Sequence, residues 1–193
     1  MKVRDFCDIR IGHSFRQRLT TVSDGSVMVI QPKNIFPEGF ISFSQAEPVR
    51  TNVSVSKPLQ LDDVLIVNRG RFSAAVFDLP KSKTWIVPSS ILVLSLKAES
   101  VLPEYVACYF NSSSGQQLLR RHCEHSTVPF ISARNLANID IPIPPLDRQK
   151  ALIAFEKAAA KYARLSNRKQ VLFRHILSRE LESDEQSMRR RAQ

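Results

Sequence analysis

The sequence predicts an α+β fold: a strand-rich domain over residues 1–145, then one long protruding helix over 146–182. Three observations lead there. Short apolar runs bounded by turn residues fill the first half of the chain, as strands do. From Pro103 the hydrophobic period lengthens to three or four residues, the helical spacing. Finally, Pro129, Pro142, Pro144 and Pro145 stand close together, and neither proline nor glycine follows them.

In chain order, residues 3–11 form a mixed start broken by Gly12, and residues 13–18 a polar, basic loop. A turn over 22–25 leads into a strand over 27–30 that Pro32 ends, since proline gives a ladder no donor. Pro37 and Gly39 make 35–43 irregular, and Val53 and Val55 alternate with serine as a half-exposed strand does. Asp62-Asp63 precede a buried strand over 64–67 that ends at Asn68-Arg69-Gly70-Arg71, with a return strand over 73–77. A basic turn over 81–84 precedes strands over 85–87 and 91–96. Helices are expected over 103–110, where Pro103 takes a tolerated early position, and over 113–122. Residues 126–131 read as extended, Ser132 as the cap of a short helix through Leu136, and 139–143 as a short strand.

The prolines stiffen the entry to the long helix and forbid an earlier start. Asp147 is its candidate N-cap, although Lys150 stands where Glu or Gln would complete a capping box. Leu152, Phe155, Ala159, Tyr162, Leu165, Leu172 and Ile176 recur mostly three or four apart. A helix of this span is roughly 50 Å long at ~1.5 Å per residue. That exceeds an ordinary core helix, so the helix should protrude and its apolar stripe needs a partner helix, the alternative being a long helix packed back on its own domain. Ser166 and Lys169 interrupt a strict heptad, which favours a straight or weakly coiled pair. Residues 183–193 carry no apolar stripe and are expected to be a disordered tail.

Lys and Arg number 28 against 18 Asp and Glu, a formal net charge of +10 that points to an anionic partner, nucleic acid before membrane. The longest apolar runs, 64–67 and 91–94, are far below a membrane-spanning length. The chain opens with Met1-Lys2-Val3-Arg4-Asp5 rather than an apolar signal region, and its three cysteines are scattered. The expectation is a cytoplasmic protein with reduced thiols.

Catalytic constellations are sparse. His122-Cys123-Glu124-His125 is dense in metal-ligand types but lacks the second ligand pair of a zinc site. Cys7 or Cys123 with His13 would make a thiol–base pair only if folding brings them together. Asp24, or Asp62 and Asp63, with Lys33 is the corresponding nuclease reading. The five glycines form neither G-x-G-x-x-G nor a phosphate loop, so no cofactor is expected. The basic pairs carry more information. Arg16 and Arg18, Arg69 and Arg71, Lys81 and Lys83, and Arg120 and Arg121 fall in predicted loops or at helix ends, where side chains reach a groove or a phosphate. They are the candidate DNA-binding residues.

Four motifs in order then resemble the specificity subunits of type I restriction–modification systems. They are Leu61-Asp62-Asp63-Val64-Leu65-Ile66-Val67-Asn68-Arg69-Gly70, Pro103-Glu104-Tyr105-x-x-x-Tyr109-Phe110-x-Ser112, Val128-Pro129-x-Ile131-Ser132-x-x-x-Leu136 and Ile141-Pro142-Ile143-Pro144-Pro145-Leu146-x-x-Gln149. The last is the most specific, and the resemblance runs from about Phe6 to Leu177. Two local departures stand out: the family more often has Gly-Asp where this chain has Asp62-Asp63, and glycine where it has His125-Ser126. The larger departure is length, since the usual member carries two recognition domains and two long helices.

The resemblance implies a non-catalytic half-subunit with one target recognition domain. Its expected partners are double-stranded DNA, DNA adenine methyltransferase subunits, a restriction or translocase subunit where one is present, and itself as a homodimer through the helix stripe. Such a dimer would read a bipartite site. The alternatives are a stand-alone nucleic-acid-binding regulator and a nuclease.

Overall fold

A computed structural model of the chain describes residues 1–15, 25–49, 57–79, 83–124 and 127–191, the last stretch by backbone alone at 164, 167 and 180–191. The elements are α1 (Val3–Phe6), β1 (Cys7–Ile11), β2 (Val27–Val29), β3 (Glu47–Val49), β4 (Val64–Val67), β5 (Ala74–Val76), β6 (Thr84–Ile86), β7 (Ile91–Leu96), α2 (Pro103–Asn111), α3 (Ser113–Arg121), α4 (Ala133–Ala137) and α5 (Leu146–Arg191). Contacts divide the chain into two units, Met1–Ile153 and Ala154–Gln193, so the boundary falls inside α5 rather than at residue 145.

Val64-Leu65-Ile66-Val67 is apolar at every position because both faces of β4 are buried. β4 is an inner strand of an antiparallel sheet ordered β1-β7-β4-β5. Successive side chains alternate between faces. Val64 and Ile66 therefore join Leu92 and Leu94 in a core with Phe6, Val106, Phe110, Leu119, Ile131 and Leu136. Leu65 and Val67 join Val93 in a second core with Met28, Ile30, Leu59, Phe77 and Trp85. A smaller sheet, β3-β2-β6, pairs β2 antiparallel to β3 and parallel to β6.

Residues 139–143 form no strand. Val3 N–H donates to Ile139 O (3.0 Å) and Ile141 N–H to Met1 O (3.0 Å), while Asp140 makes an isolated bridge to Lys2. Pro142, Pro144 and Pro145 then end the pairing, because none has an N–H to give. The short helix after Ser132 forms with the expected cap, Ser132 Oγ accepting Asn135 N–H (3.2 Å), and Ser112, a cap not expected from the sequence, does the same for α3 by accepting Gly115 N–H (3.1 Å). The strand expected around Val53 and Val55 lies outside the described residues.

α5 starts at Leu146, with Pro145 O accepting Arg148 N–H (2.9 Å) and Gln149 N–H (3.1 Å). Asp147 thus sits in the first turn instead of at the cap, where its carboxylate still faces the positive end of the helix dipole. Helix continues through Arg191. The expected disordered tail is helical over 183–191, which the lack of any proline or glycine there allows.

Candidate nucleic-acid interface

At the end of β4 the chain enters the Asn68–Ser73 turn, and its arginines are held there by a neighbouring segment. Arg69 bridges Phe130, which in turn bridges Glu124. Ile131 N–H donates to Asn68 O (2.9 Å), Gly70 N–H to Pro129 O (2.8 Å) and Glu124 N–H to Phe130 O (2.9 Å). Gly70 supplies the turn with φ +76°, a left-handed conformation that suits a residue without Cβ. Asn68 ties the turn back to the β6–β7 connection: its N–H donates to Ser90 O (3.0 Å) and its Nδ2 to Ser89 O (3.1 Å).

Arg69 and Arg71 are exposed, and the Arg69 guanidinium lies 5.1 Å from the Phe130 ring centroid. Arg120 and Arg121, also exposed, close α3, whose exit runs through Cys123 to Glu124 beside Phe130. Folding therefore brings these four arginines to adjoining segments. Among the described residues no carboxylate pairs with any of them. Elsewhere cations are matched, as in Lys33–Glu47 (2.7 Å), Lys97–Asp8 (2.9 Å) and Arg10–Asp63 (3.0 Å). A group of unneutralised arginines concentrates positive potential where loops project. Arg120 and Arg121 also complement the α3 dipole, a stabilising role that needs no ligand.

Lys83 is not part of that group. It precedes β6, whose far end leads to Ser89, so the two places lie up to about 20 Å apart along six residues of extended chain. At the Lys83 end, Val27 pairs with both Thr84 and Val49, and Phe15 packs against Val27, Val29, Val49 and Ile86. Arg16, Arg18 and Lys81 lie outside the described residues.

The catalytic alternatives do not assemble. Asp63 is buried at 2% exposure, and its carboxylate accepts from Arg10 Nη2 (3.0 Å), Ser95 Oγ (2.5 Å) and Gln60 N–H (2.9 Å). It is a structural anchor rather than a metal ligand or base. Lys33 is committed to Glu47, and Asp24 lies outside the described residues. Burial pushes the Cys7 thiol up to about 12, and its Sγ donates to Val3 O (3.2 Å). Burial also raises the Cys123 thiol, an effect that nearby Arg120 partly offsets. Neither is an activated nucleophile. His122 Nδ1 lies 2.9 Å from Leu118 O, His125 is outside the described residues, and no metal-holding group occurs among the described residues.

Gln149 is a residue whose role the helical period did not show. It is fully buried: Oε1 accepts Leu102 N–H (2.9 Å), and Nε2 donates to Ser100 O and Pro144 O (2.8 Å each). With Tyr105 Oη donating to Pro142 O (2.7 Å), it fixes the opening of α5 within the first unit.

Comparison with known proteins places this geometry. No family model matches the chain, and no curated protein does. Solved structures do, and three of them are as follows. A chain from a type I R-M system, studied for its complex assembly and conformational transition, matches at TM-score 0.69 and 20% identity, over 92% of this chain and 42% of that one. The HsdS subunit from Thermoanaerobacter tengcongensis matches at TM-score 0.59 and 20% identity, over 84% and 39%. The S subunit of a Type-I restriction-modification system from M. genitalium matches at 0.53 and 14%, over 80% and 37%. The chain has the type I S-subunit fold. It spans about two fifths of the length of these neighbours.

The S-subunit resemblance also explains the departure at Asp62. This residue has φ +68°, a left-handed conformation in which glycine is at ease and aspartate is tolerated. Asp63, the second residue of that pair, is the buried anchor described above.

In the second unit, α5 carries an exposed apolar stripe. Phe155 is 72% exposed, Tyr162 77%, Leu165 57%, Leu172 55% and Ile176 57%, and Ala159 is exposed between them. Phe173 widens the stripe, with Lys169 Nζ 5.6 Å from its ring centroid, and Leu165, Arg168, Lys169, Leu172, Phe173 and Ile176 line a shallow groove. Sequence reasoning left Phe173 out because it follows Leu172 directly, although it lies four residues beyond Lys169 on the same face. Leu152 belongs to the first unit, where it is half-buried beside the buried Ile153. No helix among the described residues is long and apolar enough to cross a membrane.

Proposed function

We propose that this chain is a non-catalytic DNA-recognition subunit that directs a partner DNA adenine methyltransferase to a bipartite site. The observation that carries the proposal is the set of arginines with no carboxylate partner among the described residues, Arg69, Arg71, Arg120 and Arg121, at one loop cluster of an S-subunit fold. Lys83, Arg16, Arg18 and Lys81 add further contacts to the same duplex. Arginines on loops position a protein on phosphates and read base edges. Displacement of counterions makes such binding steeply salt-dependent. A restriction or translocase subunit joins the assembly where one is present.

Two copies pair through the α5 stripe, each contributing one recognition domain. Their arrangement is antiparallel, as the resemblance implies.

The test is co-expression with candidate methyltransferase subunits, followed by fluorescence anisotropy on duplex DNA over a salt series. A co-purifying methyltransferase and affinity that falls with salt support the proposal. Salt-dependent binding with no methyltransferase partner supports the stand-alone regulator instead. Absence of DNA binding at low salt, alone and in the complex, removes both.

A further inference from the structure

We propose that Arg69 is the base-reading residue of this surface, that the base it takes is guanine, and that Arg71 serves the phosphate backbone. This rests on the DNA-binding reading above. A base reader must be held near its productive geometry by its neighbours. Arg69 is the residue of the turn that is fixed on both sides: Asn68 O accepts Ile131 N–H, Gly70 N–H donates to Pro129 O, and Asn68 Nδ2 ties the turn to Ser89. β4, which leads into it, is buried on both faces.

The side chain is restrained as well. The Arg69 guanidinium is 5.1 Å from the Phe130 ring centroid, and Phe130 is itself half-buried and bridged to Glu124. A phenyl ring offers no carbonyl or carboxylate acceptor, so this contact leaves the fork of guanidinium N–H donors available to a ligand. Those donors form a rigid fork, and no carboxylate occupies them among the described residues. In the major groove, guanine O6 and N7 offer two adjacent acceptors that match the fork. Phosphate also matches it, but phosphate contact does not require a restrained side chain. Among the described residues no ring lies against Arg71, an exposed residue that follows the left-handed Gly70; a side chain without such a restraint suits a backbone contact. Phe130 is a positioning residue for Arg69.

The experiment selects duplexes from a random pool with the full-length chain, in complex with its methyltransferase if one is found. It then measures affinity for the winning duplex and for variants with each guanine changed to adenine. The wild-type protein should prefer guanine at one position by about tenfold or more. Arg69→Lys, which keeps the charge but loses the fork, should cut that preference to about twofold and leave affinity for unselected DNA within about threefold. Phe130→Leu should reduce the same preference without changing the salt slope, and Arg71→Lys should retain it. Thermal melting of each variant checks that the fold is intact. Undiminished guanine preference in Arg69→Lys, or its loss in Arg71→Lys, overturns the assignment. A wild-type protein that enriches no sequence overturns the recognition reading beneath it, a result distinct from failure at Arg69 alone.

Discussion

Replacing Gln149 with leucine tests how α5 is joined to the first unit. The wild-type amide makes three hydrogen bonds to backbone groups, with Leu102 N–H, Ser100 O and Pro144 O, from a fully buried position. Leucine fills nearly the same volume, so little cavity forms and the loss is almost wholly polar. At about 1 kcal/mol or somewhat more for each buried partner left unmade, the cost is about 3 kcal/mol. For a chain of this size that lowers Tm by roughly 6–12 °C. Thermal unfolding followed by circular dichroism measures the shift, and hydrogen exchange at Leu102 N–H should accelerate with it. A Tm within about 2 °C of wild type, with that amide still protected, would refute the reasoning. It would mean that the proline-rich entry fixes the helix without the glutamine.

Asp63→Ala should cost about 3–5 kcal/mol, because it strands a partly buried Arg10 and removes the acceptor for Ser95 Oγ and Gln60 N–H; denaturant unfolding that shows under 1 kcal/mol would contradict this. Phe155→Asp or Leu172→Asp should shift sedimentation from dimer to monomer while the circular dichroism of the first unit persists; an unchanged sedimentation coefficient counts against the stripe. Arg69→Ala and Arg71→Ala should each weaken DNA binding at moderate salt with an unchanged melting temperature, and unaltered affinity would remove them from the interface. Because folding raises the Cys7 thiol from 9.0 to about 12, its contribution to stability is complete below pH 9 and is lost as pH rises toward 12. Between those limits the wild type should lose up to about 1.4 kcal/mol per pH unit that Cys7→Ala does not lose, measured by denaturant unfolding at stepped pH.

Several features were legible because they depend on local chemistry. The run over 64–67 marked a strand buried on both faces, and β4 is one. Ser132 precedes a short helix and caps it, as its hydroxyl favours. The prolines located the start of α5 to within a residue, but the pattern at 139–143 misled. There alternating isoleucines suggest a strand, while the partners are the backbone of Met1 and Val3, more than 130 residues away in sequence. The Asp147 cap failed because Pro145 already supplies the first accepting carbonyl.

Composition and period alone determined that this chain begins with strands and ends in a long helix, and that it carries excess positive charge. These are properties of neighbours in sequence and of sums. The tertiary structure decided which charges are available. Asp63 and Lys33 look alike in sequence to groups that could act, yet one is sealed beside Arg10 and the other neutralised by Glu47. Arg69 looks like any loop arginine until Phe130, 61 residues on, lies against it. Charge in a sequence is additive, whereas its exposure and pairing depend on which distant segments fold against it, and only the fold sets that.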